Sequence, residues 1–258
     1  MSLIHSTAIV SPRASLDSSV RVGPYSIIEE GVEIGADSEI GSHCVIKGET
    51  TIGERNRIFQ FASIGDDPQD KKYADEDTRL VIGNGNTIRE YTTFNRGTVQ
   101  DSGVTTIGDN NWFMAYTHVA HDCVVGNETI FANCAQIGGH VIIDDYAILG
   151  AFVCSHQYCR VGAHAFVGIG TTITRDIPPY VMASGPVAEP RGINTEGLKR
   201  RSFDNDQIRN IKEAYRCLYR SGLGLDKVRT TIDSLVDEQP ELAVFAEFLN
   251  SSERGLIR

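Results

Sequence analysis

Four of the seven histidines fall in one stretch of the chain, at His118, His121, His140 and His156. His121, Gly139 and Gln157 are eighteen residues apart, so a chain that advances eighteen residues per coil stacks them in one column. A histidine with a glycine one coil away offers a general base beside an exposed backbone N–H. Acyl transfer needs that pair, one group to remove a hydroxyl proton and one to stabilise the oxyanion that develops on the carbonyl. Asp122 follows His121 and can orient its ring. No Gly-x-Ser-x-Gly elbow and no P-loop is present, which removes a serine hydrolase or a kinase.

An eighteen-residue coil is what the rest of the chain specifies. Every sixth residue from Val10 is aliphatic for ten positions: Val10, Leu16, Val22, Ile28, Ile34, Ile40, Ile46, Ile52, Ile58 and Ile64. The period returns at Ile82, Ile88 and Phe94, slips, restarts at Ile107 and runs to Ile173, broken only by Ser155. Two residues before these positions the side chain is small or modest, as at Ala8, Ala14, Ser26, Thr117, Cys123 and Ala135. A period of six is neither helical nor that of a simple two-sided strand. It fits short strands joined by tight turns, three to a triangular coil, with coils stacked at the strand spacing of ~4.8 Å. Residues 1–188 are therefore expected to form a parallel β-helix. The polar stretch at about 65–80, which contains Pro68, is expected as a loop ejected from the prism, either functional or merely tolerated. Pro178-Pro179 is expected to end the repeat.

From 189 to 258 the pattern turns helical, and a C-terminal α-helical domain is expected. Ile208, Ile211, Tyr215, Leu218 and Tyr219 share a face, Asp204 or Asn205 can cap it, and further helices are expected at about 225–237 and 240–250. Residues 189–220 carry eight basic and five acidic side chains, against a formal net charge of −10 for the chain. Arg209, Lys212, Arg216 and Arg220 form one stripe, either a solvated face or a docking surface for an acidic partner. The acidic balance argues against a nucleic-acid partner. No apolar run reaches the ~18–20 residues of a membrane span. The N-terminus lacks a signal peptide's basic and apolar regions, so a cytoplasmic location is expected. Six cysteines without a Cys-x-x-Cys read as small buried apolar residues.

At Ile58–Gly65, Arg96–Gln100, His118–Cys123, His156-Gln157 and Asn194–Arg201 the chain closely resembles the UDP-N-acetylglucosamine 3-O-acyltransferases, which open lipid A biosynthesis in Gram-negative bacteria. The resemblance covers the whole chain. The pathway's related N-acyltransferase carries a large domain before its hexads, whereas here the hexads begin by about residue 8. The resemblance implies a left-handed coil and a homotrimer with active sites in clefts between neighbours. It implies that His121 is the general base, that Asp122 holds its ring and that the Gly139 N–H polarises the thioester carbonyl. Gln69, Asp70, Lys72, His118, His140, His156 and Gln157 match positions that contact the sugar nucleotide, and Asn194, Glu196 and Arg200 match positions that bind the nucleotide from the helical domain. The basic stripe would receive acyl carrier protein, the acyl donor, and no metal or bound cofactor is implied. Asn95 stands where the family commonly has histidine. Ile169 stands at the acyl-length ruler, where glycine admits longer chains, so 3-hydroxyacyl donors of medium length are expected. Relatives that acylate a UDP 3-amino sugar would use the same base. Zinc hydratases of similar repeats are the remaining alternative, although His118-x-x-His121 is narrower than the ligand separation associated with them.

Overall fold

In the computed structural model, which describes Leu3–Arg258, each hexad is a two-residue strand followed by a tight turn. Strands pair with those eighteen residues on: Ile9–Val10 with Ile27–Ile28, and these with Val45–Ile46. The result, among the described residues, is three sheets of nine, eight and ten strands, parallel but for the last strand of the third, wound as a left-handed triangular prism. The aliphatic residue of each hexad is the second of its strand and, from Val22 onward, is buried at almost every turn. Midway along the axis Phe94, Phe113 and Phe131 fill the interior in sequence, with ring centroids 4.9 and 4.7 Å apart. Ser155, the one break in the pattern, is partly exposed.

The modest residues two places earlier do more than save space. Ser26, Ser38, Asn56, Asn86 and Asn111 are buried at the corners, where their polar atoms bond the backbone of the next coil. Asn86 donates to Asn56 Oδ1 at 3.0 Å, and its own Oδ1 accepts from the Asn111 N–H at 2.8 Å. Corner donors and acceptors that would otherwise be buried unpaired are satisfied in this way.

Three lines of corners run the length of the prism. One carries His121, Gly139 and Gln157, here termed the base edge. The next, at Asp145 and His164, receives the C-terminal helices and is the helix edge. The third is the aromatic edge, where Phe61, Tyr91 and Tyr116 stack at 5.2 and 4.7 Å while largely exposed.

Eighteen residues separate Ile64 from Ile82 where the repeat needs six, and the excess is the expected loop, 67–78. Thirteen separate Phe94 from Ile107, and this slip is a second loop, 96–103. Both leave the prism at the base edge. Arg96 ties them together, donating to Gly65 O at 2.6 Å, Asp67 Oδ1 at 2.6 Å and the Tyr73 hydroxyl at 2.8 Å.

Pro178-Pro179 does not end the coil. These prolines lie at a corner, where no ladder hydrogen bond is required of them. Val181–Ser184 then adds a further parallel strand against Phe166–Val167. Glu189–Ile193 folds back antiparallel on it and closes that sheet. Four helices follow: α1 (Thr195–Arg200), α2 (Asn205–Arg220), α3 (Leu225–Asp233) and α4 (Ala243–Ser251). Asp204 caps α2 in a reciprocal box with Gln207, and Ile211, Ala214 and Tyr215 are its buried face. The chain then returns to the prism, where Leu256 bridges to Asp176 and Ser252 Oγ donates to Asp176 Oδ2 at 2.7 Å. Among the described residues no helix is long and apolar enough to cross a membrane.

Candidate active site

His121 and Asp122 turn the base edge directly above Gly139 and His140 of the next coil, and the His140 N–H donates to His121 O at 3.0 Å. Asp122 (φ 58°), His140 (φ 62°) and Tyr158 (φ 63°) all take the left-handed corner conformation. His140 lies flat on Tyr158 at 4.3 Å and edge-on to His121 at 5.0 Å. Gly139 is required by close approach: a Cβ there would lie 2.5 Å from His121 Cε1 and 2.6 Å from Nε2. The imidazole thus occupies the space a side chain would fill. No acceptor among the described residues takes the Gly139 N–H.

The ring is held from one side only. His121 Nδ1–H donates to Asp122 Oδ2 at 2.8 Å, which leaves Nε2 as the lone-pair nitrogen. Both residues are buried, at 5% and 4% exposure. Burial alone would push the Asp122 carboxyl up; hydrogen bonds from His121 and from the Thr98 hydroxyl and N–H outweigh it and hold the group below the usual carboxylate range. The arrangement is that of a histidine oriented by a carboxylate and poised to accept a proton. His121, Asp122 and His140 also place one ligand-type atom each within 4.8 Å of one another. Within this cluster Asp122 accepts from His121 and Thr98, and His140 Nδ1 shares a 2.7 Å hydrogen bond with Asp101 Oδ2.

Around this centre lies an open cleft of about 510 Å³, lined by Gln69, Asp70, Lys71, Lys72, Ala120, His121, Gly138, Gly139 and Gln157. The first loop therefore carries the expected Gln69, Asp70 and Lys72 to the His121 cleft. His118 lies on the adjoining sheet, sharing a 2.7 Å hydrogen bond with Thr93 Oγ1, and burial lowers its pKa. His156 is exposed and accepts from Arg254 Nη2 at 2.9 Å.

Other expected site residues lie elsewhere on the chain. Asn194 caps α1 at the helix edge, accepting from the Gly197 N–H and donating to His164 O at 3.0 Å. Glu196 pairs with Lys199, and Arg200 is exposed on the same helix. Ile169 projects from the aromatic edge, 74% exposed. Arg209, Lys212, Arg216 and Arg220 are exposed along α2, with Arg209 and Arg216 engaged by Asp206 and Glu213. Asn95 is buried, and its amide donates to Asp67 O at 2.9 Å. A single chain therefore brings His121 together with Gln69, Asp70 and Lys72 of the first loop but leaves α1, Ile169 and the stripe on other edges.

Sequence reasoning assigned no part to Thr98, Asp101 or Arg96. The slip after Phe94 was the available signal, because a second insertion at the base edge must pack beside the first.

Comparison with known proteins identifies the family. Residues 176–257 match the family model described as UDP-N-acetylglucosamine O-acyltransferase, domain 2, and residues 13–48 and 105–139 match the bacterial transferase hexapeptide repeat. The acyl-[acyl-carrier-protein]–UDP-N-acetylglucosamine O-acyltransferases of Neisseria gonorrhoeae and Thiobacillus denitrificans are 55% and 54% identical to the chain, each over the full length of both sequences. Among solved structures, the UDP-N-acetylglucosamine acyltransferase of Francisella novicida matches with a TM-score of 0.97 at 43% identity, covering 99% of this chain and 94% of its own. The Moraxella catarrhalis O-acyltransferase matches with a TM-score of 0.97 at 42% identity, covering 99% and 100%.

Proposed function

From the premise that the chain belongs to the acyl-[acyl-carrier-protein]–UDP-N-acetylglucosamine O-acyltransferase family, we propose that His121 is the general base of its acyl transfer. The reaction moves a 3-hydroxyacyl group from acyl carrier protein to the 3-hydroxyl of UDP-N-acetylglucosamine, the first step of lipid A biosynthesis. The observation that carries the assignment of the base is the His121 ring lying over Gly139 with Nδ1 bound to Asp122. His121 Nε2 takes the hydroxyl proton as the sugar oxygen bonds to the thioester carbon. Negative charge gathers on the former carbonyl oxygen, and the Gly139 N–H is free to meet it. The intermediate collapses with cleavage of the C–S bond, and the imidazolium returns its proton to the departing thiolate. Asp122 keeps its own proton state throughout and steadies the imidazolium.

Residues 1–188 serve in this reading as the unit that carries the base, and residues 189–258 as the unit that binds nucleotide and carrier. Gln69, Asp70, Lys72, His118, His140, His156 and Gln157 hold the sugar nucleotide on one protomer. Asn194, Glu196 and Arg200 reach it from a neighbour, because on their own chain they occupy a different edge. A homotrimer meets that need, and exposed aromatic rings on the third edge suit contact with a neighbour. An isoleucine at 169 limits the groove to donors of medium length, since close-packed walls do not absorb four extra carbons. The α2 stripe receives the acidic carrier, and the enzyme works in the cytoplasm.

Mass spectrometry of products from UDP-N-acetylglucosamine and a panel of 3-hydroxyacyl carrier-protein thioesters tests the reading. It requires a single acyl ester at the sugar and activity indifferent to chelators. With His121→Ala, turnover should fall by ~10²–10⁴-fold while the fold persists. A His121→Ala enzyme that keeps more than about a tenth of wild-type kcat contradicts the assignment.

A further inference from the structure

The loop 96–103 is joined to both halves of the cleft. At its start, the buried Arg96 guanidinium is spent on the sugar loop, bonding Gly65 O, Asp67 and Tyr73. Two residues later Thr98 turns the other way. Its N–H donates to Asp122 Oδ1 at 2.8 Å and its Oγ–H to Asp122 Oδ2 at 2.6 Å, both among buried partners. Asp101, further along, fixes His140 through Nδ1 at 2.7 Å. The short backbone stretch from Arg96 to Thr98 thus joins the hydrogen bonds that hold the loop carrying Asp70 and Lys72 to those that hold Asp122 and, through it, His121.

Asp122 cannot be oriented by His121 alone, because a carboxylate on a single hydrogen bond can rotate about its terminal torsion. Thr98 takes one bond to each oxygen and so fixes the carboxylate plane. The Asp122 N–H is itself held by Thr105 Oγ1 at 2.8 Å, which fixes the backbone beneath it. The ring of His121 is then aimed by an anion with one allowed orientation.

We infer that Thr98 is a positioning residue that sets the Asp122 carboxylate, and that Arg96 links this setting to the seating of the sugar loop. The inference rests on His121 being the base. It makes two predictions that a purely structural role would not make. Losing the Thr98 hydroxyl should affect the chemical step and spare sugar binding. It should also leave Asp122 a stronger acceptor for His121 Nδ1–H, so that the base gives up its proton less readily. The charged groups facing Asp122 are His121 and His140, the latter already bound to Asp101. Neither replaces the lost donor on the Thr98 side.

The test is steady-state kinetics of Thr98→Val and Thr98→Ser across pH, with melting temperatures measured alongside. Thr98→Val, which keeps the backbone N–H, should lower kcat about tenfold, a fraction of what removal of the base costs. The KM for the UDP-sugar should stay within about twofold, and the acid limb of kcat/KM should move to higher pH. Thr98→Ser, which restores the hydroxyl, should recover most of the turnover and the original acid limb. Arg96→Met should raise the sugar KM and lower kcat together, and combining it with Thr98→Val should give less than the product of the two effects on kcat. The inference is overturned if Thr98→Val keeps more than half of wild-type kcat. It is also overturned if serine fails to rescue, or if kcat loss comes only with a matching rise in KM and a lower melting temperature. Failure of the base assignment is separable: there His121→Ala stays active, whereas failure of this inference alone leaves His121→Ala inactive and Thr98→Val near wild type.

Discussion

His121 and Gly139 illustrate how far single residues were legible. The eighteen-residue spacing alone stacks the histidine over the glycine, because a hexad repeat converts sequence distance directly into spatial contact. The same arithmetic could not reveal Thr98, which lies inside an insertion and so has no position in the repeat. The packed ring also makes a residue-level prediction. Gly139→Ala puts a Cβ 2.5–2.6 Å from the imidazole, so the ring must swing aside toward the open cleft. Displacement of a catalytic group by about 1 Å costs on the order of 10²-fold in rate, and kcat should fall by that much with little change in melting temperature. Gly138→Ala is the control, since its nearest neighbours, Ser155 O at 3.1 Å and the Gln157 side chain and backbone N at 3.2 Å, are tight contacts rather than overlaps, and it should cost only a few-fold. Equal losses in the two variants would mean that backbone perturbation, not ring displacement, governs the rate.

At the scale of elements, strands were the legible part and their termination was not. Aliphatic periodicity marks inward positions, but the prolines at 178–179 carry the signature of a break while lying where a break costs nothing. The helix edge shows how the two kinds of element are joined. His164 stacks on Tyr146 at 4.6 Å, meets Phe203 edge-on at 5.2 Å, and offers its carbonyl to Asn194. Burial, aided by Arg201, lowers its pKa from 6.5 to about 4. The unfolded chain therefore binds the proton more readily than the folded one. The stability that neutral His164 supports is complete above pH 6.5 and is lost as pH falls from there toward about 4. The loss should be roughly 1–2 kcal/mol once solvent screening of its exposed side is allowed for. Melting temperatures at neutral and mildly acidic pH should show a smaller drop for His164→Gln than for wild type; parallel drops would remove His164 as a cause. On α2, Arg209 and Arg216 are occupied by acidic neighbours three residues earlier, while Lys212 and Arg220 have no ion-pair partner among the described residues. Reversing those two charges should raise the KM for acyl carrier protein more than reversing Arg209 and Arg216, in a salt-dependent way. The KM for the UDP-sugar should barely move, and an equal rise for both substrates would point to damage of the helical unit instead.

At the scale of the whole molecule, the proposed reading leaves one protomer with an incomplete site. The base and the sugar loop share one edge, Asn194, Glu196 and Arg200 sit on the second, and Ile169 stands exposed on the third. The hexad repeat gives His121, Gly139 and Gln157 their register along the prism, yet no periodicity within one chain tells which edge of a neighbour will face which. In the proposed homotrimer, three-fold closure brings different edges together and makes every site the joint work of two copies. The direct measurement is subunit mixing. His121→Ala and Arg200→Glu are each expected to be inactive as pure trimers. When the two chains are co-refolded in equal amounts, a random trimer gives about a quarter of its sites both an intact base and an intact nucleotide partner, so about a quarter of wild-type acyl transfer should return. Mixed trimers, verified by mass, that remain at the background of either parent would contradict the shared site and with it the proposed division of labour between His121 and the helical unit.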